Sequence, residues 1–201
     1  MAAAQLPPNP DRDLSGFPSR QLTPDDTLYR AAARTRNPGY FAADDSGRFN
    51  LRPPRGTLYS ATDLDTAVRE KVREAAVAAG IISRRLANSF RVVAFAAPAV
   101  RAADLAARTA ARFGVIRELA AMDDYDIPRR WATAFDESGF GGVHYGSRFT
   151  TGEPSAWGIF GAAGEHDLTV TAQIEGSEAC EQVGIAVTPP IPSADSVDLL
   201  D

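Results

Sequence analysis

The chain has 201 residues, of which 44% are hydrophobic and 23% charged, and its formal net charge is −5 at pH 7. This composition is typical of one globular domain and excludes a collagen-like repeat or a chain that is disordered throughout. The negative charge argues against non-specific binding to nucleic acid or to an anionic membrane surface.

Targeting and metal-binding signals are also missing from the sequence. No apolar run is long enough to predict a transmembrane helix, and the start MAAAQLPPNP lacks the basic and apolar regions of a secretory signal. The single cysteine, Cys180, indicates a reducing compartment, so we expect a cytoplasmic protein. With only two histidines beside it, no metal site is predicted.

Composition divides the chain into three parts. Residues 1–26 contain five prolines and little apolar periodicity, which predicts a flexible or surface-wrapping arm. Residues 27–187 carry the pattern of one domain, and residues 188–201 predict a flexible C-terminal tail.

Within the domain, the predicted elements follow no regular strand–helix alternation. Strands are predicted at 27–33, 57–60, 90–95, 142–145, 157–160, 168–174 and 183–187. Helices are predicted from Thr62 to a stop at Gly80, near 99–113, and at 128–137. This order favours a compact α+β domain with a mixed sheet flanked by helices over a doubly wound parallel sheet.

Taken singly, the polar residues give weak functional signals. The sequence has no glycine-rich phosphate loop and no nucleophile elbow. Arg30 ends an apolar stretch, Leu28-Tyr29, where a buried arginine needs an anionic partner. Glu70 lies off the apolar stripe of its predicted helix, so it is functional only if that helix borders a cleft. Arg48 is ordinarily a surface charge, and Ser147 is ordinarily a turn residue.

An ordered set of short motifs carries a stronger signal than any of these residues alone. The set comprises Leu28-Tyr29-Arg30, Ser46-Gly47-Arg48-Phe49-Asn50, Gly56-Thr57-Leu58-Tyr59-Ser60-Ala61, Ala67-Val68-Arg69-Glu70, Trp131-Ala132, Gly141-Gly142-Val143-His144-Tyr145-Gly146-Ser147 and Ile159-Phe160. On these motifs, residues 28–161 resemble the RES-domain family, which is named for its Arg, Glu and Ser. The chain departs from the commonest family pattern at Phe49, where tryptophan is frequent, and at Gly146, where proline is frequent.

The resemblance implies a fold like that of the ADP-ribosyltransferases and a toxin that consumes NAD+ as its substrate, with no true cofactor and no metal. It also implies a possible partner, a cognate antitoxin protein that holds the toxin inactive.

In such an enzyme Arg30 and Arg48 would anchor phosphates or ribose through their guanidinium forks. Glu70 would stabilise positive charge on the ribose, Tyr59 would contact the nicotinamide half, and Ser147 would orient a ribose hydroxyl or the acceptor. We therefore expect Glu70, Arg30 and Ser147 to be catalytic, Arg30, Arg48, Tyr59 and Ser147 to bind NAD+, and all five to meet at one cleft.

The sequence leaves several alternatives open. The acceptor could be water, inorganic phosphate or a protein side chain, which correspond to a glycohydrolase, a phosphorylase or an ADP-ribosyltransferase. A non-catalytic module that binds a nucleotide or a protein is a further alternative. A homo-oligomer is possible, whereas direct nucleic-acid and membrane partners are not expected.

Overall fold

A computed structural model describes residues 5–73 and 80–189 as one α+β domain built on a large mixed sheet, and the predicted class is confirmed. The strands are β1 (Ser19–Leu22), β2 (Thr27–Ala33), β3 (Tyr40–Phe41), β4 (Arg55–Ala61), β5 (Ile81–Ile82), β6 (Phe90–Ala96), β7 (Val100–Asp104), β8 (Gly142–Tyr145), β9 (Ala156–Ala162), β10 (Gly164–Glu165), β11 (Val170–Glu175) and β12 (Ala186–Val187). The α-helices are α1 (Leu64–Val72), α2 (Arg84–Ala87), α3 (Asp126–Glu137) and α4 (Gly176–Gln182), and short 3-10 helices span Arg108–Phe113 and Arg117–Ala120.

The eight-stranded sheet is divided near its middle. Its strand order is β1-β7-β8-β9-β4-β2-β6-β11, and the β7–β8 pair is parallel while the other pairs are antiparallel. β2 pairs with β6 along its whole length, and β4 pairs with β9 in the same way. Between β2 and β4, however, only Tyr29 and Ala61 are paired. The two halves of the sheet therefore part at this point.

Helix α1 begins beside this division. The Asp63 side chain caps it by accepting a hydrogen bond of 2.6 Å from the Thr66 N–H, as short polar side chains commonly do at helix N-termini. The residues that α1 buries include Ala67, Val68 and Val72, which lie on the apolar stripe expected from the sequence. Glu70 lies beside this stripe, one turn after Ala67, and both residues border the division between β2 and β4.

One of the predicted helices is corrected by the structure. The alanine-rich stretch 99–113 favours a helix by propensity, yet Val100–Asp104 is a strand that pairs with β1 and β8. Strand pairing in the buried sheet overrides the weak local preference there. The last part of the predicted helix 62–80 lies outside the described residues, and the observed α1 starts at Leu64.

The proline-rich arm is an integral part of the domain along its described residues 5–26. Leu14 and Phe17 are buried in the largest core cluster, and β1 forms an edge of the sheet. Gln5 is 1% exposed, and its side-chain amide bonds the backbone of Gly114 and Ile116. The described part of the arm is therefore packed onto the domain that is predicted to begin at residue 27. Of the predicted tail, residues 190–201 lie outside the described residues.

None of the helices in the described ranges is long and apolar enough to cross a membrane.

Candidate functional site

A cavity of about 220 Å³ opens where β2 and β4 part. It is lined by residues of β2, β4 and α1, by the loop that carries Ser46-Gly47-Arg48, and by Tyr125 and Tyr145. Because the strands diverge, neighbouring residues such as Tyr59 and Ser60 both line the cavity, although successive strand residues point to opposite faces of a sheet.

Arg30 bridges the two parted strands. One of its Nη atoms donates to the Tyr59 carbonyl at 2.7 Å, and the other donates to the Tyr40 carbonyl at 3.1 Å. Its Nε is buried and has no hydrogen-bond partner. Burial lowers the pKa of Arg30 to about 10, so the guanidinium remains cationic at neutral pH.

Arg48 approaches the cavity from the loop before β4. Its Nε and Nη2 donate to the Met122 carbonyl at 3.3 and 3.2 Å, and its guanidinium lies 5.1 Å from the centre of the Tyr125 ring. Within the described part of the chain, neither Arg48 nor Arg30 forms an ion pair with a carboxylate. Two largely desolvated cations thus face the cavity with only carbonyl and ring partners, an arrangement suited to an anion.

Tyr59 and Gly47 fix the loop that presents Arg48. The Tyr59 hydroxyl accepts a hydrogen bond of 2.7 Å from the Phe49 N–H. Burial raises the pKa of Tyr59, so the phenol stays neutral. A β-carbon at Gly47 would lie 2.6 Å from the same hydroxyl and would overlap the Asn50 amide oxygen, so only glycine fits between these side chains.

Glu70 contributes a carboxylate to this cationic cavity. Its Oε1 is buried without a hydrogen-bond partner. The cationic residues that line the cavity are Arg30, Arg48, Lys71 and Arg73. Burial, with the neighbouring cations Arg30, Arg36 and Arg73, lowers the pKa of Lys71. An unpartnered carboxylate oxygen among cations can accept a hydrogen bond from a hydroxyl or stabilise a developing positive charge.

Ser147 does not line this cavity. It lies beyond the end of β8 and lines a second cavity of about 520 Å³, and Tyr145 lines both. The expectation that all five residues line one cleft is therefore corrected. The first cavity is lined by Arg30, Arg48, Tyr59 and Glu70, whereas Ser147 lines the second cavity. β8 ends at Tyr145, and Ser147 follows two residues later, in the lining of the second cavity.

Several residues that line the first cavity were not predicted as site residues from the sequence. They are Ser60, Lys71, Arg73, Tyr125 and Tyr145. The Ser60 hydroxyl is buried without a partner, as are atoms of Arg30 and Glu70. Ser60 and Tyr145 lie inside the motifs of the sequence analysis, so these motifs could have identified them as site residues. No sequence pattern around Tyr125 indicates that it lines a site.

His144 is a structural residue of the sheet. Its Nδ1 lies 3.0 Å from Asp104 Oδ1, and its Nε2 lies 3.0 Å from the Pro154 carbonyl. The centre of its ring lies 4.4 Å from that of Trp157, with the two ring planes tilted by 42°. The Asp104 carboxylate and the Pro154 carbonyl thus hold the ring at both of its nitrogens. The side chain is 1% exposed and lines neither cavity.

Comparison with known proteins supports both the fold and the family. No curated protein sequence matches the chain. A solved structure that does match is the crystal structure of the M. tuberculosis MbcT-MbcA toxin-antitoxin complex, with a TM-score of 0.64 over 85% of this chain and 93% of that chain. At 17% identity this similarity shows a shared fold.

The family model of the RES domain matches residues 27–179. This match spans well over half of the chain and contains the residues that line both cavities. The chain therefore belongs to the RES domain family.

Proposed function

We propose that the protein is an enzyme that cleaves NAD+ at the bond between nicotinamide and ribose. The observation that carries the proposal concerns residues 5–73 and 80–189. Among them, one Glu70 carboxylate oxygen has no hydrogen-bond partner, and the Arg30 and Arg48 guanidiniums of the same cavity have no carboxylate partner. NAD+ combines a pyrophosphate for the cations with a ribose that gains positive charge as nicotinamide leaves.

The bond between ribose C1 and the nicotinamide nitrogen breaks, and its electron pair leaves with nicotinamide. Glu70 stabilises the oxocarbenium character that forms on the ribose and accepts a hydrogen bond from a ribose hydroxyl. Arg30 and Arg48 hold the phosphates, which keeps the ribose beside Glu70. An acceptor oxygen then bonds to C1 and loses its proton.

The acceptor defines the reaction, and we propose water or inorganic phosphate. Water gives ADP-ribose, and phosphate gives a phosphorylated ADP-ribose. ADP-ribosyl transfer to a protein side chain is the alternative within the same chemistry, and a non-catalytic binding module is the alternative outside it. The unpartnered Glu70 oxygen argues against a module that only binds a ligand. A buried carboxylate without a partner lowers the stability of the protein, and a neutral hydroxyl could supply a similar hydrogen bond to a bound ligand.

The direct test is to incubate the purified protein with NAD+, with and without inorganic phosphate, and to identify the products by mass spectrometry. We expect free nicotinamide in both cases if water is the acceptor, and only in the presence of phosphate if phosphate is the acceptor. Glu70→Gln protein purified in the same way controls for contaminating activity. Intact NAD+ after incubation with a folded, monodisperse protein would contradict the proposal, and binding without turnover would favour the binding module.

We further propose that the protein is the toxin of a toxin–antitoxin pair, since the similar fold of MbcT occurs in a toxin–antitoxin complex. Expression in a bacterial host without a partner should lower cellular NAD+ and slow growth. The Glu70→Gln variant should do neither at equal protein levels. Co-expression of the adjacent reading frame should restore growth if it encodes the antitoxin.

A further inference from the structure

The second cavity has no role in the proposed chemistry, although it is the larger of the two. It holds about 520 Å³, against about 220 Å³ for the first. Sites for small molecules commonly enclose about 300–1,000 Å³. The first cavity is therefore too small for a whole dinucleotide, and the two together are not.

The two cavities meet at Tyr145 and at the segment 121–125. Tyr145 lines both cavities, Ala121 lines the second, and Tyr125 lines the first. Arg48 holds this segment from the first cavity through the Met122 carbonyl. Arg148 holds it from the second through the Ala121 carbonyl and the Asp123 carboxylate. A ligand that leaves the first cavity past Arg48 thus has the second cavity next to it.

The lining of the second cavity suits a neutral, partly apolar group. Its lining combines the apolar residues Leu105, Ile116 and Ala120 with the hydroxyl-bearing residues Ser147, Thr150 and Thr151. Ser147 is 8% exposed, and its Oγ accepts a hydrogen bond of 3.0 Å from the Phe149 N–H, which leaves the hydroxyl hydrogen to donate.

The same lining is poorly suited to an inorganic anion. The cationic residues that line it, Arg117 and Arg148, are exposed, and Arg148 is already paired with Asp123. Glu153 adds a negative charge. A small anion would therefore find no buried cation among the described lining residues, in contrast to the first cavity.

We propose that the second cavity is the subsite for the adenosine half of the dinucleotide, which rests on the proposed function for the other half. The apolar lining residues pack against the purine, and the hydroxyls of Ser147, Thr150 and Thr151 bind polar atoms of the purine and its ribose. The phosphates cross between the cavities at Arg48. Ser147 then contributes to substrate binding at the adenosine end and stands apart from the reacting bond.

The test compares two substrates in a variant that fills the second cavity. Ala106 is exposed and lines this cavity, whereas Ala111 is exposed and lines neither, so Ala106→Trp is the test variant and Ala111→Trp its control. Nicotinamide mononucleotide carries the same scissile bond as NAD+ but lacks adenosine. We expect Ala106→Trp to lower kcat/KM for NAD+ by about tenfold or more and to leave that for the mononucleotide within about twofold. Equal losses on both substrates, or no loss on either, would overturn the subsite.

A binding experiment separates this proposal from the proposed function. Adenosine 5′-monophosphate should bind the wild-type protein and the Ala111→Trp variant in calorimetric titrations, and should bind Ala106→Trp at least about tenfold more weakly. If it binds in this way while NAD+ is not cleaved, the subsite stands and the proposed function fails. If NAD+ is cleaved and both tryptophan variants bind the monophosphate equally well, the subsite fails and the proposed function stands.

Discussion

The hydrogen-bonding partners of Glu70, Arg30 and Arg48 are set by the surrounding structure more than by residue type. A glutamate on the polar side of a helix is usually solvated, and an arginine usually reaches a carboxylate or water. Among the described residues, Glu70 Oε1 is buried without a partner, and Arg30 and Arg48 bind only carbonyl groups and a ring. Their unused hydrogen-bonding capacity faces one cavity, and we propose that a ligand with hydroxyls and phosphates occupies it.

The first prediction concerns the charge of Glu70. Glu70→Gln keeps the shape of the side chain and removes its negative charge, so the transition state loses its stabilisation. We expect kcat to fall by about 10²–10³, which corresponds to about 2.7–4 kcal/mol. The affinity for NAD+ should change much less, because the ground-state ribose is neutral and the arginines are intact.

The matched control is Glu178→Gln, which makes the same change on the exposed face of α4. It should leave kcat and the melting temperature unchanged. Turnover of Glu70→Gln near the wild-type rate in a folded protein would show that Glu70 is an ordinary helix residue.

At the scale of elements, α1 is held against the sheet by a buried pair of hydroxyls. Thr66 Oγ1 on α1 lies 2.7 Å from Ser155 Oγ, just before β9, and the Ser155 carbonyl accepts from the Thr62 N–H. This pair joins the helix that carries Glu70 to the half of the sheet that contains β4 and β9.

The second prediction is a mutant cycle on this pair. Thr66→Val and Ser155→Ala each leave one hydroxyl buried without a partner, and each should lower the free energy of unfolding by about 1–3 kcal/mol. The double variant leaves neither hydroxyl and should cost less than the sum of the two. Denaturant unfolding measures all three, and strictly additive costs would contradict the pairing.

The third prediction concerns the link between β7 and β8. Burial alone would raise the pKa of Asp104, but the hydrogen bond and charge of His144 outweigh it, so the pKa is lowered. A lowered pKa means that the Asp104 carboxylate stabilises the folded protein above its unfolded pKa, near 3.8, and that this contribution is lost as the pH falls through the folded value.

Asp104→Asn should therefore melt at a lower temperature than the wild type at pH 7, and the difference should shrink as the pH is lowered below about 4. Melting curves from neutral to acidic pH measure it. A difference that grows in acid would contradict the assignment.

At the scale of the whole molecule, the N-terminal arm closes the core. Phe17 is 2% exposed. The centre of its ring lies 4.7 Å from the ring centre of Phe135, 5.0 Å from that of Phe113 and 6.2 Å from that of Phe140. Further along the arm, the Leu6 carbonyl accepts a hydrogen bond of 2.9 Å from the Trp131 indole. The arm is thus packed against α3, which in turn supports β8.

The fourth prediction follows from this packing. Phe17→Ala should lower the free energy of unfolding by about 3–5 kcal/mol, as truncation of a buried aromatic residue commonly does. Leu6→Ala, at a side chain that is 68% exposed, should change it by about 0.5 kcal/mol or less. Urea titration of both variants measures this, and equal small effects would mean that the arm is dispensable.

The sequence by itself determined the family, the α+β class and the strands with strong local patterns. β2 and β6 are rich in apolar and β-branched or aromatic residues, and both were predicted close to their observed bounds. It also singled out Arg30, Arg48, Tyr59 and Glu70, because each belongs to a motif whose order along the chain is itself informative.

The tertiary structure decided the rest. Local propensity cannot show that an alanine-rich stretch becomes β7, that a proline-rich arm enters the core, or that Ser147 and Glu70 line different cavities. These outcomes depend on which distant segments pair and pack together. The cavity itself exists because β2 and β4 share a single paired position. These strands are more than twenty residues apart in the sequence, and their divergence does not alter the hydrophobic pattern of either one.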